Sequence, residues 1–239
     1  MKNIKEIDII ILSCAHTSAL KSMTNNCIES LMNSEDAKNI KFNVMVIESN
    51  VDLLPYQYPC SRTFYTDKKF GYNRYMNIGI ELTSSSLICL CNNDLIFHDL
   101  WATNMLKAFE QCNLSSGSPV CSIHHPKIHI ELDSGIYFGY GVRHEISGWC
   151  IFLKREVLSF TGRLDENYEF WCSDNDYANT LFTLGLKHAL VTSSVVDHLE
   201  SRTLVSKTID EQQQFIDKDL TYFKKKWNVR LGYEGWEIL

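Results

Sequence analysis

Short runs of branched apolar residues alternate along the chain with longer stretches in which apolar positions recur every three or four residues. Residues 7–12, Ile-Asp-Ile-Ile-Ile-Leu, read as a strand buried on both faces that stops at Ser13-Cys14-Ala15-His16. Leu20, Met23, Cys27, Ile28, Leu31 and Met32 then share one stripe of a helix that Thr17 or Ser18 caps. Residues 42–47 form a second buried run ending in Glu48-Ser49-Asn50. A third unit has Phe64-Tyr65 as strand, Phe70-Gly71 as turn, and a helix over 72–82 that carries Tyr75, Met76 and Gly79 inward. Residues 87–91 give a fourth strand. It runs into Asn92-Asn93-Asp94 before Leu95-Ile96-Phe97 resumes the apolar pattern, and Asp99 is expected to cap a helix with Ala102, Met105, Leu106 and Phe109 on one side.

Strand and helix thus alternate four times before Cys112, the pattern of a parallel, doubly wound α/β sheet. Ligands of such sheets bind at the carboxyl ends of the strands, where Ser13, Glu48 and Asp94 fall. No Gly-x-Gly-x-x-Gly follows the first strand and no Walker loop is present, which argues against dinucleotide and P-loop sites.

Beyond Cys112 the pattern changes. Residues 112–147 read as loop-rich and hold His124, His125, His129 and His144. Residues 148–153 are a strand, and 154–158 begin a short helix. A further helix places Tyr177, Ala178, Leu181 and Phe182 on its stripe and ends at Gly185. A strand over 189–196 leads into Asp197-His198, and Thr208-Ile209-Asp210-Glu211 is a capping box opening a C-terminal amphipathic helix with Ile209, Ile216, Leu220, Phe223 and Trp227 inward. There is no internal repeat and no linker, so residues 1–239 are expected to be one domain.

The 239 residues, 45% hydrophobic and 22% charged, describe a globular protein with a full core. The net charge of −6 speaks against a strongly nucleic-acid-binding surface. The compact basic groups are Lys68-Lys69 and Lys224-Lys225-Lys226, the second reading as a solvated helix face. Nine scattered cysteines without a Cys-x-x-Cys pair point to reduced, mostly buried thiols rather than a disulfide framework or zinc site. No stretch approaches the roughly 20 apolar residues a membrane span needs, and the start passes into a strand without a cleavable signal, so a cytoplasmic protein is expected.

Five segments, in order, resemble the family 2 glycosyltransferases of GT-A fold: "IDIIILSCAH", "NVMVIESN", "KKFGYNRYMNIGI", "LICLCNNDLIF" and "GWCIFLKREVLSFTGRLDENYEFWCSDNDY". The resemblance runs from Ile7 to about Arg202. The chain departs from the family in lacking Pro-Thr after the first strand and in reading Asn-Asn-Asp where Asp-x-Asp is usual. The resemblance implies a nucleotide-sugar-binding half, 1–111, and an acceptor-binding half, 112–239, in an inverting enzyme that uses a nucleotide-sugar, with UDP favoured.

The same resemblance implies that Asp94 holds Mn²⁺ or Mg²⁺, hard cations that suit oxygen ligands and a donor diphosphate. His198 matches the position of a second metal ligand, and Asn92 or Asn93 is expected to orient a bound water or the ribose. Asp174, second in the place of the family's acidic pair with Ser173 before it, is the expected base; Asp176 is its alternative on the acceptor side, and either aspartate also suits a helix cap. Glu166 and Glu169 stand in reserve. Glu48 is expected at the base or ribose, Ser13 against the nucleobase with Asp67 beside it, and Arg74 at the diphosphate or sugar. Trp149 is either a stacking floor for a sugar or buried core.

The expected acceptor is a saccharide or glycoconjugate. A hydroxymethylated base in DNA is the alternative, one that needs a basic groove and base extrusion. A nucleotidyltransferase needs a Gly-rich basic loop after the first strand, whereas "SCAHTSALK" has no glycine and one lysine. A non-catalytic sugar-binding module of the same fold is the remaining reading, against which the joint presence of Asp94, Asp174 and His198 counts.

Overall fold

The computed structural model describes residues 4–199, 209–232 and 235–238. Its centre is β1 (Lys5–Ser13), which pairs in parallel with β2 (Ile40–Glu48) on one side and β4 (Leu87–Cys91) on the other; β3 (Ser61–Tyr65) extends the ladder beyond β2. The register sets Ser13 opposite Glu48 and Ile11 opposite Cys91, so these strands end along one edge of the sheet. Alternation along β1 sends Ile7, Ile9 and Ile11 to one face and Ile10 and Leu12 to the other. On the first face lie α1 (Ser18–Asn33) and α3 (Trp101–Cys112), and on the second α2 (Tyr72–Glu81) and α5 (Ser173–Thr183). That is the doubly wound arrangement the alternation predicts.

The second half folds back into the same sheet. β8 (Cys150–Lys154) lies antiparallel to β4 and leads into the short α4 (Val157–Thr161). β6 (Ser116–Val120) joins β8 to β9 (His188–His198), and β5 (Leu95–Phe97) and β7 (Ile136–Phe138) pair antiparallel with β9. The sheet is mixed, with most of its paired residues in the parallel ladders. One pairing positions the site: Leu95, directly after Asp94, is the register partner of His198, and the Leu199 N–H donates to the Asp94 carbonyl at 2.9 Å.

Residues 112–147 are loop-rich as expected, but they also hold a strand that the pattern does not announce, β6. Its sequence, Ser-Gly-Ser-Pro-Val, has no apolar alternation, yet all five residues are buried. Small residues are what the position requires, because a Cβ on Gly117 would lie 3.0 Å from the Phe109 ring and 3.1 Å from the Met105 sulfur, where α3 presses onto the strand. β7 and a 3-10 turn over His125–Ile128 also fall in this stretch.

Thr17 and Gly185 act at helix ends as expected, whereas neither Asp174 nor Asp176 caps α5, whose preceding residue is Cys172, and Asp99, Met32 and Phe182 also depart from expectation. The Thr17 hydroxyl caps α1 by accepting the Leu20 N–H at 3.2 Å, and Gly185 takes the left-handed conformation after α5. Asp99 does not cap α3; the residue before that helix is Leu100, itself left-handed and without a side-chain cap. Met32 is exposed while Thr24 is buried in its stead, and Phe182 is 63% exposed, its ring lying edge-on to Tyr140. Helix α6 spans Ile209–Trp227 and is followed by the hairpin of β10 (Val229–Gly232) and β11 (Gly235–Ile238). Thr208 of the expected capping box, and the end of the resembling stretch near Arg202, lie outside the described residues.

Cys27, Cys89, Cys91, Cys121 and Cys150 are buried free thiols. Cys91 stands directly opposite Cys150, and the sulfurs of Cys89, Cys91 and Cys150 lie within 4.8 Å of one another inside the core. Burial pushes the Cys89 and Cys91 thiols up, which keeps them neutral packing groups. Among the described residues no helix is long and apolar enough to cross a membrane.

Candidate active site

A cavity of about 350 Å³ opens at the carboxyl edge of the sheet, lined among others by Ser13, Asn92, Asn93, Asp94, Trp149, Asp174 and His198. Asp94 is 4% exposed, and its Oδ2 lies 3.3 Å from His198 Nε2. That contact is not aligned as a hydrogen bond. Asp94 Oδ1 and His198 Nε2 are both buried without a hydrogen-bond partner. The His198 ring lies flat against Trp149, with centroids 4.9 Å apart and planes 2° from parallel, and His124 meets Trp149 edge-on at 5.4 Å. Trp149 therefore serves as wall and as the surface that fixes the imidazole. Leaving a buried polar atom unpaired costs on the order of 1–3 kcal/mol, more when it is charged, so two such atoms on side chains that meet in the cavity lining fit a ligand that supplies positive charge. One carboxylate oxygen and one imidazole nitrogen suit Mn²⁺, which accepts both donor types.

Asp174 enters the cavity from the first turn of α5. Burial pushes its carboxyl above the usual carboxylate range, against the Asn175 N–H, which donates to Oδ1 at 2.9 Å, and the charge of Arg143. The carboxyl packs against a residue that must be small: a Cβ on Gly148 would lie 2.7 Å from Asp174 Oδ2. The Tyr72 hydroxyl donates to the Gly148 carbonyl at 3.2 Å from the other side. Asp176 corrects its expected acceptor role. It turns away from the cavity, accepting from the Trp227 indole at 2.8 Å and pairing with Lys226 at 2.7 Å.

Four other expectations shift. Glu48 is fully buried and away from the cavity; its Oε1 accepts the N–H groups of Ala15 and Asn50 at 3.1 and 2.7 Å, and its Oε2 accepts the Tyr58 hydroxyl at 2.8 Å. Its carboxylate braces the turn after β1. Ser13 lines the cavity, but its hydroxyl is engaged with Tyr58 and Thr24, each at 3.0 Å, and Thr24 accepts from Asn93 Nδ2 at 2.9 Å. Since the Tyr58 proton goes to Glu48, Tyr58 accepts from Ser13, and the Thr24 hydroxyl, which also reaches the Leu20 carbonyl at 3.3 Å, links Ser13 to Asn93; this network orients the asparagine beside Asp94. Asp67 is exposed and does not line the cavity. Arg74 also stays outside it, bonding Glu166 at 3.3 Å and the Lys69 carbonyl at 2.8 Å.

Glu166 and Glu169 do not line the cavity either. The Asn77 amide, with Arg74 and Arg163 behind it, holds Glu166 below the usual carboxylate range. Burial opposes the same shift in Glu169, but Lys218 and Lys69 bring it about. The strongest anchor on this side was not anticipated. Asp219 of α6, completely buried, accepts three successive backbone N–H groups, from Glu169 at 3.2 Å and from Phe170 and Trp171 at 2.8 Å each. A carboxylate within a helix stripe otherwise filled by Ile216, Leu220 and Phe223 was the one local signal of it.

No protein-family model matches this chain, and no curated protein matches it. Among solved structures of similar fold is GalNAc-T7 with UDP, GalNAc and Mn²⁺. It superposes with a TM-score of 0.65 at 11% identity over 93% of this chain, which spans 57% of that one. The likeness shows a GT-A-like α/β fold.

Proposed function

We propose that the protein is a metal-dependent, inverting glycosyltransferase of the family 2 type, moving a sugar from a UDP-sugar to the hydroxyl of a saccharide or glycoconjugate. The carrying observation is the convergence of Asp94 and His198, with unpaired buried atoms, in the cavity that also receives Asp174. Support for UDP and Mn²⁺ comes from the fold, shared with a protein whose structure contains both.

Asp94 and His198 hold the metal, which when bound offsets the negative charge of the donor diphosphate. Trp149 keeps the imidazole in place, and Asn92 and Asn93 bound the donor beside Asp94. Asp174 takes the proton from the acceptor hydroxyl as its oxygen bonds to the anomeric carbon, and the bond from that carbon to the diphosphate breaks with its electron pair leaving on UDP. One displacement with one base inverts the anomeric centre.

UDP with Mn²⁺ is expected to raise the melting temperature of the wild type, whereas UDP with chelator is not. His198→Ala is expected to abolish the Mn²⁺-dependent part of that shift while leaving the ligand-free melting temperature within a few degrees. If UDP and Mn²⁺ produce no shift in the wild type, or if His198→Ala responds like it, the metal assignment is lost.

Gly148→Ala gives a separate check on Asp174. The added methyl forces the carboxyl to move, and a displacement on the order of 1 Å is expected to lower turnover by roughly 100-fold while UDP affinity stays unchanged. Turnover equal to wild type, measured on folded protein, would show that Asp174 has no positional role.

A further inference from the structure

Phe70, Phe170 and Trp171 all line the mouth of the cavity and form a row of rings, with centroids 6.4 Å apart for the first pair and 5.8 Å for the second. Phe70 is 36% and Trp171 39% exposed, so both rings present surface at the cavity. Tyr75 braces Phe70 edge-on at 5.2 Å, and the backbone under Phe170 and Trp171 is pinned by Asp219. The rings are thus set in place before any ligand arrives, which lowers the ordering cost of binding one.

The charges around them narrow what that ligand is. Five basic side chains meet this loop, and each is held by a carboxylate. Lys69 and Lys218 pair with Glu169 at 2.8 and 2.6 Å, Arg74 and Arg163 with Glu166 at 3.3 and 3.1 Å, and Lys226 with Asp165 and Asp176 at 2.8 and 2.7 Å. The cavity-lining Arg143 acts on Asp174. A polyphosphate acceptor such as DNA draws its affinity from several cations available to neutralise it, and the five that meet this loop each already face a carboxylate, which leaves the exposed Arg143 as the lysine or arginine lining the cavity. A neutral saccharide needs none. The C–H face of a pyranose packs on aromatic rings while its hydroxyls stay at the polar edge.

We infer that the Phe70–Phe170–Trp171 row is the acceptor subsite and that its occupant is a neutral saccharide, stacked on the rings with one hydroxyl directed to Asp174. This rests on the glycosyltransferase reading of the cavity. Asp219 is a positioning residue of the subsite, acting through the backbone it holds.

The test is binding, measured by calorimetry and saturation-transfer NMR with UDP and Mn²⁺ present. The probes are lactose, maltose, cellobiose and N,N′-diacetylchitobiose, and a single-stranded DNA oligonucleotide carrying 5-hydroxymethylcytosine. At least one disaccharide is expected to bind and the oligonucleotide not. Trp171→Ala and Phe70→Ala are each expected to weaken the disaccharide by roughly 10-fold, with UDP affinity kept. Asp219→Asn, which retains the shape but loses the charge that three N–H donors face, is expected to weaken it as well, again without loss of UDP. Binding by none of the disaccharides, binding by the oligonucleotide, or indifference to both ring substitutions in folded protein overturns the proposal. UDP affinity in the same samples separates the two levels. UDP bound without saccharide removes only the subsite. Ring-dependent saccharide binding without UDP keeps the subsite and removes the donor reading.

Discussion

Asp174→Asn is expected to lower sugar transfer by roughly 100-fold to 10,000-fold, because the amide keeps the shape of the carboxylate and cannot take a proton. UDP affinity should stay at the wild-type value, the pattern that follows when a group needed only in the transition state is removed. Two further signs belong to this residue. Burial raises its folded-state pKa, so the pH profile of kcat/KM should have an acid limb above the ordinary carboxylate range, and that limb should vanish in the variant. A carboxyl with a raised folded-state pKa binds its proton more tightly in the folded chain. Its contribution to stability is complete below the unfolded pKa and is lost as pH rises through the folded one. At neutral pH the ionised group therefore opposes folding, and the asparagine variant should melt higher than wild type. Asp176→Asn should do the reverse, lowering stability by weakening the Lys226 pair and sparing the chemistry. Retained transfer in Asp174→Asn, or an unchanged acid limb, removes it as the base.

Asp94→Asn is expected to cut turnover by about 100-fold or more, through loss of the charge that holds the metal against the diphosphate. The fold should not suffer. The amide nitrogen that this substitution introduces can donate toward His198 Nε2, giving a partner to an atom that has none in the wild type. Turnover lost, Mn²⁺ response lost and melting temperature not lowered is the expected triple. Full activity of the wild type in excess chelator would falsify the metal role, and a variant that loses stability along with activity would point to Asp94 as a structural group.

What could be read from the sequence follows what each pattern physically records. Branched runs such as residues 7–12 are dense enough to announce buried strands, and Thr17 and Gly185 announce helix ends by chemistry that acts within a turn. β6 could not be read this way, since its burial comes from close packing under α3 and is recorded as an absence of side chains. The end of β4 was legible as a polar interruption, and the partnership of Asp94 with His198 came from the resemblance; in the fold it follows from the pairing of β5 with β9. The choice between Asp174 and Asp176 was open because two residues two apart on a helix take different faces. Only the packing of α6 shows which face is spoken for. Glu48 illustrates the opposite error: its place at a strand end is as expected, but three donors reach its oxygens before any ligand can.

The anchoring of residues 169–171 by Asp219 also has a consequence for the order in which the protein is made. The strands β1 to β4 and the helices between them are complete in the first 91 residues and need nothing later to pair among themselves. The loop carrying Phe170 and Trp171 reaches the end of its own synthesis with three backbone donors unmet, and their acceptor emerges only with α6. Because chains fold from the amino terminus as they leave the ribosome, the β1–β4 ladder forms early and the loop waits. A nascent chain stalled before residue 219 should thus protect β1–β4 from proteolysis and be cut between residues 165 and 172.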